Sequence, residues 1–244
     1  MVGMPTETTV VLIPGFMQPA DAWQAVADRL PQRYPSVMLG HREHTYEGRL
    51  GEIAGVGRGA VLCGYSLGGR LALHAALRDP AAYASLVTVG VSAGIEAPAA
   101  RAARAEADAK LASWMETQPI DVIVDIWERQ PLFADQSDAL VEAQRPGRLA
   151  QDPRDLALIL RTAGQGALEP QWERLHTLSL PVLALAGMLD KRYAQSARRM
   201  AGAVPDGRAA VIEHAGHAVH LQRPDEVATL LVDFLDKHLG ERAV

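Results

Sequence analysis

The stretch VLCGYSLGGRLALHAALRDP, Val61 to Pro80, holds the change of period on which the fold depends. Ala60 to Cys63 is a short apolar run of strand type. From Leu67 to Arg78 the apolar residues recur at helical spacing until Asp79-Pro80 stops them. Between the two stands Gly64-Tyr65-Ser66-Leu67-Gly68, which fits G-x-S-x-G. A strand-to-helix turn that tight strains the serine backbone, and the flanking glycines remove side chains that would clash. The turn also sets the hydroxyl at a helix N-terminus, where N–H groups and the helix dipole favour developing negative charge. A glycine-rich core turn is the plainer reading. The strand before and the helix after are the context the motif requires, and they make Ser66 a candidate nucleophile.

The pattern extends in both directions. Val10 to Ile13 is a β-branched run ended by Pro14-Gly15, as in a buried strand breaking into a loop. Asp21 to Leu30 puts Trp23, Val26, Ala27 and Leu30 on one helical face. Pro35 to Leu39 is a weaker strand and Gly48 to Ala54 a short helix. Leu86 to Gly90, Val182 to Ala186 and Ala209 to Ile212 are further strands. A last amphipathic helix starts at Pro224-Asp225-Glu226 and turns Val227, Leu230, Leu231, Phe234 and Leu235 inward. Short apolar strands alternating with helices predict an α/β fold, a mostly parallel sheet flanked by helices. From Ala93 to about Ser179 there is no convincing strand, and about 85 residues is too long for a connection. The expected organisation is a core of residues 1–92 and 180–244 with an inserted helical cap, 93–179.

Composition sets the outer bounds. With 48% hydrophobic and 22% charged residues, the 244-residue chain has the make-up of a soluble globular protein. A net charge of −5 gives no electrostatic reason for a nucleic-acid or anionic-membrane partner. The single cysteine, Cys63, excludes an internal disulfide framework. Met1 to Thr9 lacks a basic n-region, and no apolar run approaches the roughly 20 residues that span a bilayer. The expectation is a cytoplasmic monomer or small homo-oligomer acting on a small molecule.

A serine hydroxyl is a poor nucleophile near neutral pH and needs an imidazole, itself oriented by a carboxylate. In this strand-helix context the chain order is serine, acid, histidine. Asp190 follows the strand ending at Ala186, and His217 lies between the strand ending near Ile212 and the helix from Pro224. Asp206 is the next acid, but Pro205-Asp206-Gly207 reads as a turn. His214, His217 and His220 are spaced by three, which could suggest a metal. Gly216 and the lack of a nearby acidic or thiol ligand set argue against one. His217 is the expected base, with His220 behind it or on the surface. The oxyanion donors are expected to be two backbone N–H groups, of Leu67 and of Phe16 in the loop after the first strand.

Together these residues resemble the α/β-hydrolase superfamily. Gly64-Tyr65-Ser66-Leu67-Gly68-Gly69-Arg70-Leu71-Ala72-Leu73 is similar to the elbow of the 2-succinyl-6-hydroxy-2,4-cyclohexadiene-1-carboxylate synthases of menaquinone biosynthesis. Further similarity lies in Ser92 to Ile95, Asp125 to Phe133, Leu160 to Gly166, Asp190 to Tyr193 and Gly216 to Leu221. The resemblance implies an enzyme, free of metal and organic cofactor, that eliminates pyruvate from a polycarboxylated cyclohexene. It also implies arginines that bind the carboxylates: Arg70, Arg104 and Arg145, with Arg148 and Arg161 as rivals for the last place. Guanidinium forks suit that task. Tyr65 and Trp127 would supply apolar wall and hydrogen bonding. The alternative is an esterase, thioesterase or C–C bond hydrolase working through an acyl-enzyme. Two places depart from the family pattern: Pro14-Gly15-Phe16 stands for His-Gly-Phe, and Ser92-Ala93-Gly94 for Ser-Pro-Gly.

Overall fold

The structure, a computed structural model, describes residues 8–240. The residues outside that range include most of the N-terminal stretch read above for an export signal. Six strands form one parallel sheet: β1 (Val10–Ile13), β2 (Ser36–Met38), β3 (Ala60–Tyr65), β4 (Tyr83–Val89), β5 (Val182–Gly187) and β6 (Gly207–Ile212). Their order is β2-β1-β3-β4-β5-β6. Every strand read from the sequence is present, and the register of Val10 to Ile13 on Val61 to Gly64 locks the first strand to the elbow strand. β1, β3 and β5 are buried along their whole length. That explains why they read as continuous apolar runs rather than alternating ones.

Helices cover both faces. α2 (Tyr46–Gly55), α3 (Leu67–Arg78) and α8 (Lys191–Ala203) close one side. α1 (Gln24–Ala27) and α10 (Pro224–Leu239) close the other, where Trp23, Val26, Leu231 and Phe234 are fully buried. Burying one such side chain stabilises the fold by about 1.5–3 kcal/mol. Two sequence expectations need correction. The helix expected over Asp21–Leu30 is a 3-10 turn, Ala20–Trp23, followed by the single turn of α1. Pro31 restricts the residue before it and closes off the pattern early. Conversely, α8 was not anticipated: its inward face is Tyr193, Ala194, Ala197 and Met200, and two alanines give a weak hydrophobic stripe.

Between β4 and β5 the chain forms α4 (Pro98–Met115), α5 (Ile120–Glu128), α6 (Asp138–Leu149) and α7 (Pro153–Ala163), and no strand. α4, α5 and α7 share an apolar cluster of their own, with Ala112, Met115, Ile123, Val124, Leu156 and Leu160. Met17 and Phe16, from the loop after β1, pack into that cluster and tie the inserted helices to the sheet. The chain runs from β1 to β2 on one side and returns to β3 on the other. The carboxyl ends of β1 and β3 therefore flank a topological switch point, where open α/β sheets bind ligands.

Candidate active site

Ser66 stands at that switch point, between the end of β3 and the first residue of α3. Its backbone has φ of 49° and ψ of −110°, a left-handed conformation that costs of order 1–3 kcal/mol in a non-glycine residue. The motif glycines are required by close approach. A Cβ on Gly68 would lie 2.3 Å from the Pro14 carbonyl oxygen, and one on Gly64 2.5 Å from the Gly68 oxygen. The turn can therefore fold against β1 only with glycine at both places.

His217 reaches this serine from the loop between β6 and α9 (Val219–Gln222), and Asp190 from the end of β5. His217 Nε2 lies 3.1 Å from Ser66 Oγ, and His217 Nδ1 lies 2.8 Å from Asp190 Oδ2. With Nδ1–H donating to the carboxylate, the unprotonated Nε2 accepts from the serine hydroxyl. The Tyr193 backbone N–H donates to Asp190 Oδ1 at 3.3 Å and holds the second carboxylate oxygen. His217 is buried, with its ring packed 4.5 Å from Tyr193 and 5.2 Å from Tyr65. On its far side, Gln222 Oε1 accepts from the Gly216 N–H at 2.8 Å, and Gln222 Nε2 donates to Asp135 Oδ2 at 2.8 Å. The histidine loop is thus linked to the inserted helices. The three residues taken from the sequence as nucleophile, acid and base are brought together.

The remaining expectations divide. Ser66 opens into a cavity of about 380 Å³ lined also by Phe16, Tyr65, Leu67, Arg70, Arg104 and Trp127. Among the described residues, neither the Phe16 nor the Leu67 N–H donates within the chain. Trp127 packs edge-on against Phe16, with ring centroids 5.2 Å apart. Tyr65 is nearly buried, and burial pushes its phenol well above the ordinary range. Arg145 is the correction. It turns from the cavity to Asp125 and Glu128, each at 2.5 Å, where it satisfies carboxylates of the neighbouring α5. Its rivals are similarly held, Arg148 by Glu128 and Gln144 and Arg161 by Glu116. His220 is fully buried rather than on the surface, against Trp23 and Tyr65, while His214 is exposed. Among the described residues no group of three metal-binding side chains converges, and no helix is long and apolar enough to cross a membrane.

The cavity is apolar over much of its wall, with Leu111, Leu132, Phe133, Ile159 and Leu160, and its charged lining is Arg70, Arg104 and Arg192 with the carboxylates Asp108 and Asp190. Arg104 donates to Asp108 at 2.7 Å and to Gln165 Oε1 at 3.1 Å. Arg70 makes no salt bridge among the described residues and its buried Nε–H has no acceptor; Asp108, engaged with Arg104, acts on it only at longer range. Burial lowers its pKa, yet a guanidinium keeps its charge across the working range. Arg192, Gln165 and Tyr193 also line or support the cavity and were not assigned roles from the sequence. Gln165 donates to the Tyr193 hydroxyl at 2.6 Å, linking Arg104 to the ring that packs on His217. The signal for Tyr193 was its place three residues after Asp190, in the first turn of the unanticipated α8.

The fold and the serine-histidine-aspartate arrangement together are those of an α/β hydrolase. The pattern that defines the alpha/beta hydrolase family matches residues 10–230, and the chain belongs to that family. It is 27% identical over 96% of its length, and 96% of the other's, to the 2-succinyl-6-hydroxy-2,4-cyclohexadiene-1-carboxylate synthase of Salmonella agona. It is 30% identical over 71% of its length to the putative enzyme of that name from Bacillus subtilis, of which the match spans 65%. The solved structure of MenH from S. aureus superposes with a TM-score of 0.88 at 25% identity, covering 97% of this chain and 96% of that one.

Proposed function

We propose that the protein is a cofactor-independent lyase of menaquinone biosynthesis that eliminates pyruvate from a polycarboxylated cyclohexene. Ser66, made basic by His217 and Asp190, removes a proton from the substrate ring and passes it to His217 Nε2. The electron pair released shifts through the ring and breaks the bond to the enolpyruvyl oxygen. Pyruvate departs as its enolate, which recovers a proton from His217. The Phe16 and Leu67 N–H groups stabilise the oxyanion that develops as charge moves. Arg70 and Arg104 hold the carboxylates, and Trp127 and Phe133 wall the ring.

The observation that carries this reading is Arg70, a guanidinium one helical turn from Ser66 that lines the cavity and makes no salt bridge among the described residues. Arg70 is half-buried and its Nε–H has no acceptor, a cost that is offset when an anionic ligand supplies the partner. The names of the relatives point the same way. The apolar wall of the cavity favours a second reading, in which Ser66 attacks a neutral ester and forms an acyl-enzyme. Incubation with the pyruvate-bearing cyclohexene precursor, with pyruvate followed by a coupled dehydrogenase, separates the two. Rapid pyruvate release supports the lyase. Its absence, with fast p-nitrophenyl ester cleavage, overturns the lyase in favour of the hydrolase.

A further inference from the structure

The loop that carries Phe16 is held from behind by a residue outside the main cavity. The Gly15 N–H donates to Gln18 Oε1 at 3.1 Å, and the Gln18 N–H donates to the Gly15 carbonyl oxygen at 3.3 Å. Both backbone polar groups of Gly15 are therefore taken up by one residue. In a trans peptide the C=O and the following N–H point in opposite directions. With the Gly15 oxygen turned to Gln18, the Phe16 N–H of the same peptide plane is directed away from it. The loop needs such restraint, because Met17 has φ of 59°, a conformation that costs roughly 1–2 kcal/mol. Tyr65 presses on the loop as well: a Cβ on Gly15 would lie 2.6 Å from Tyr65 Cδ1.

The Gln18 amide is itself oriented. Its oxygen faces the Gly15 N–H, so its NH2 end is the one that meets His220, with Nε2 to Nε2 at 3.4 Å. His220 is fully buried, its ring 4.2 Å from Tyr65 and 4.5 Å from Trp23 by centroid. These contacts fix the ring plane and aim Nε2 at the amide. Burial pushes the imidazole pKa down to about 3 and keeps the ring neutral; the amide NH2 then selects the tautomer with Nε2 as acceptor and the proton on Nδ1, which has no partner among the described residues.

We infer that Gln18 and His220 are positioning residues for the reaction: His220 orients the Gln18 amide, and Gln18 sets the Gly15–Phe16 peptide so that its N–H meets the developing oxyanion. This rests on the reading of Ser66 as the reactive group and Phe16 as an oxyanion donor. A fluorophosphonate probe tests it without the natural substrate. Ser66 Oγ attacks phosphorus, the P–F bond breaks, fluoride leaves, and the hydroxyl proton passes to His217, while the phosphoryl oxygen takes the oxyanion position.

Labelling of Ser66 is located by peptide mass spectrometry, and its limiting rate is measured separately from its half-saturating concentration. Gln18→Met and His220→Phe keep bulk but remove the amide or the acceptor. Each is expected to lower the limiting rate about 10- to 100-fold, with the half-saturating concentration within about twofold. The double variant should be little slower than the slower single one, because both act on one peptide. His220→Gln restores an acceptor and should regain most of the rate. A Gln18→Met rate within about twofold of the unmodified protein overturns the brace and leaves the Ser66 reading standing. Failure of the unmodified protein to label at Ser66 overturns both. If Gln18→Met does not fold, the two His220 variants decide, since they leave the loop sequence intact; equal rates for His220→Phe and His220→Gln overturn the proposal.

Discussion

The carboxyl edge of the sheet and the inserted helices position their polar side chains by different means. Ser66, Asp190 and His217 each follow a strand or precede a helix of fixed place in a parallel sheet. Register then brings together residues 66 and 217, which are 151 positions apart. Arg104 and Arg145 lie on helices whose rotation is set by how α4 to α7 pack on one another. One arginine faces the cavity and the other does not. A sheet converts chain order into position, whereas a helix bundle leaves position to packing and to local ion pairs.

The largest effect should come from the sheet edge. Ser66→Ala is expected to lower turnover by about 10³-fold or more, because serine and histidine act as a unit. Its thermal midpoint should be nearly unchanged, because alanine keeps the Cβ that makes the φ of 49° costly and loses only the hydroxyl. Steady-state kinetics with calorimetry checks both. Activity within tenfold of the unmodified protein would break the comparison at its stronger end.

Next come the arginines that do line the cavity. A charge-assisted hydrogen bond contributes about 1.5–3 kcal/mol, so Arg70→Ala should raise KM for a carboxylated substrate roughly 10- to 100-fold. Arg104→Ala should cost less, since Asp108 and Gln165 already share its donors. The effect of either on a neutral p-nitrophenyl ester should be small. Equal losses on charged and neutral substrates would remove Arg70 from carboxylate binding.

These outcomes bear on how far the sequence alone could be read. The elbow was legible because one pentapeptide, an apolar strand and a helix agree on a single backbone path. Asp190 and His217 were legible because each has only a short loop in which to stand. Tyr193, Gln165 and the burial of His220 were not, because each acts through a partner distant in the chain. Gln165 meets Tyr193 and Arg104, and His220 meets Trp23 and Gln18. The ion pairs of Arg145 were not legible for a related reason: Asp125 and Glu128 sit 20 and 17 residues away, on another helix, and no local period reveals that they face it.

The two regions should also differ in their response to acid. Three substantially buried histidines, His41, His74 and His220, all belong to the sheet body; burial pushes their pKa values down to about 4, 4 and 3. The unfolded chain, with histidine near 6.5, binds more protons than the native state below that pH. The stability these neutral imidazoles contribute is present above pH 6.5 and lost progressively as pH falls toward 4. The urea midpoint should therefore drop between pH 7 and pH 4.5, and His220→Phe should flatten the slope. Hydrogen exchange followed across the same range should show protection lost in β1, β3 and α3 at least as early as in α4 to α7.

The smallest effect is the one that sharpens the comparison most. The family resemblance implies a substrate-binding role for Arg145, whereas the structure engages it with Asp125 and Glu128. If that geometry governs, Arg145→Ala leaves KM for the carboxylated substrate within about twofold, well inside the loss expected for one charged hydrogen bond. The thermal midpoint should fall slightly, because Glu128 keeps Arg148 as a partner and only Asp125 is left without one. A KM increase of tenfold or more, with an unchanged midpoint, would mean that substrate draws Arg145 out of its ion pairs and into the cavity. The inserted helices would then rearrange on binding, and the failure to place this arginine from sequence would belong to the unliganded state rather than to the fold.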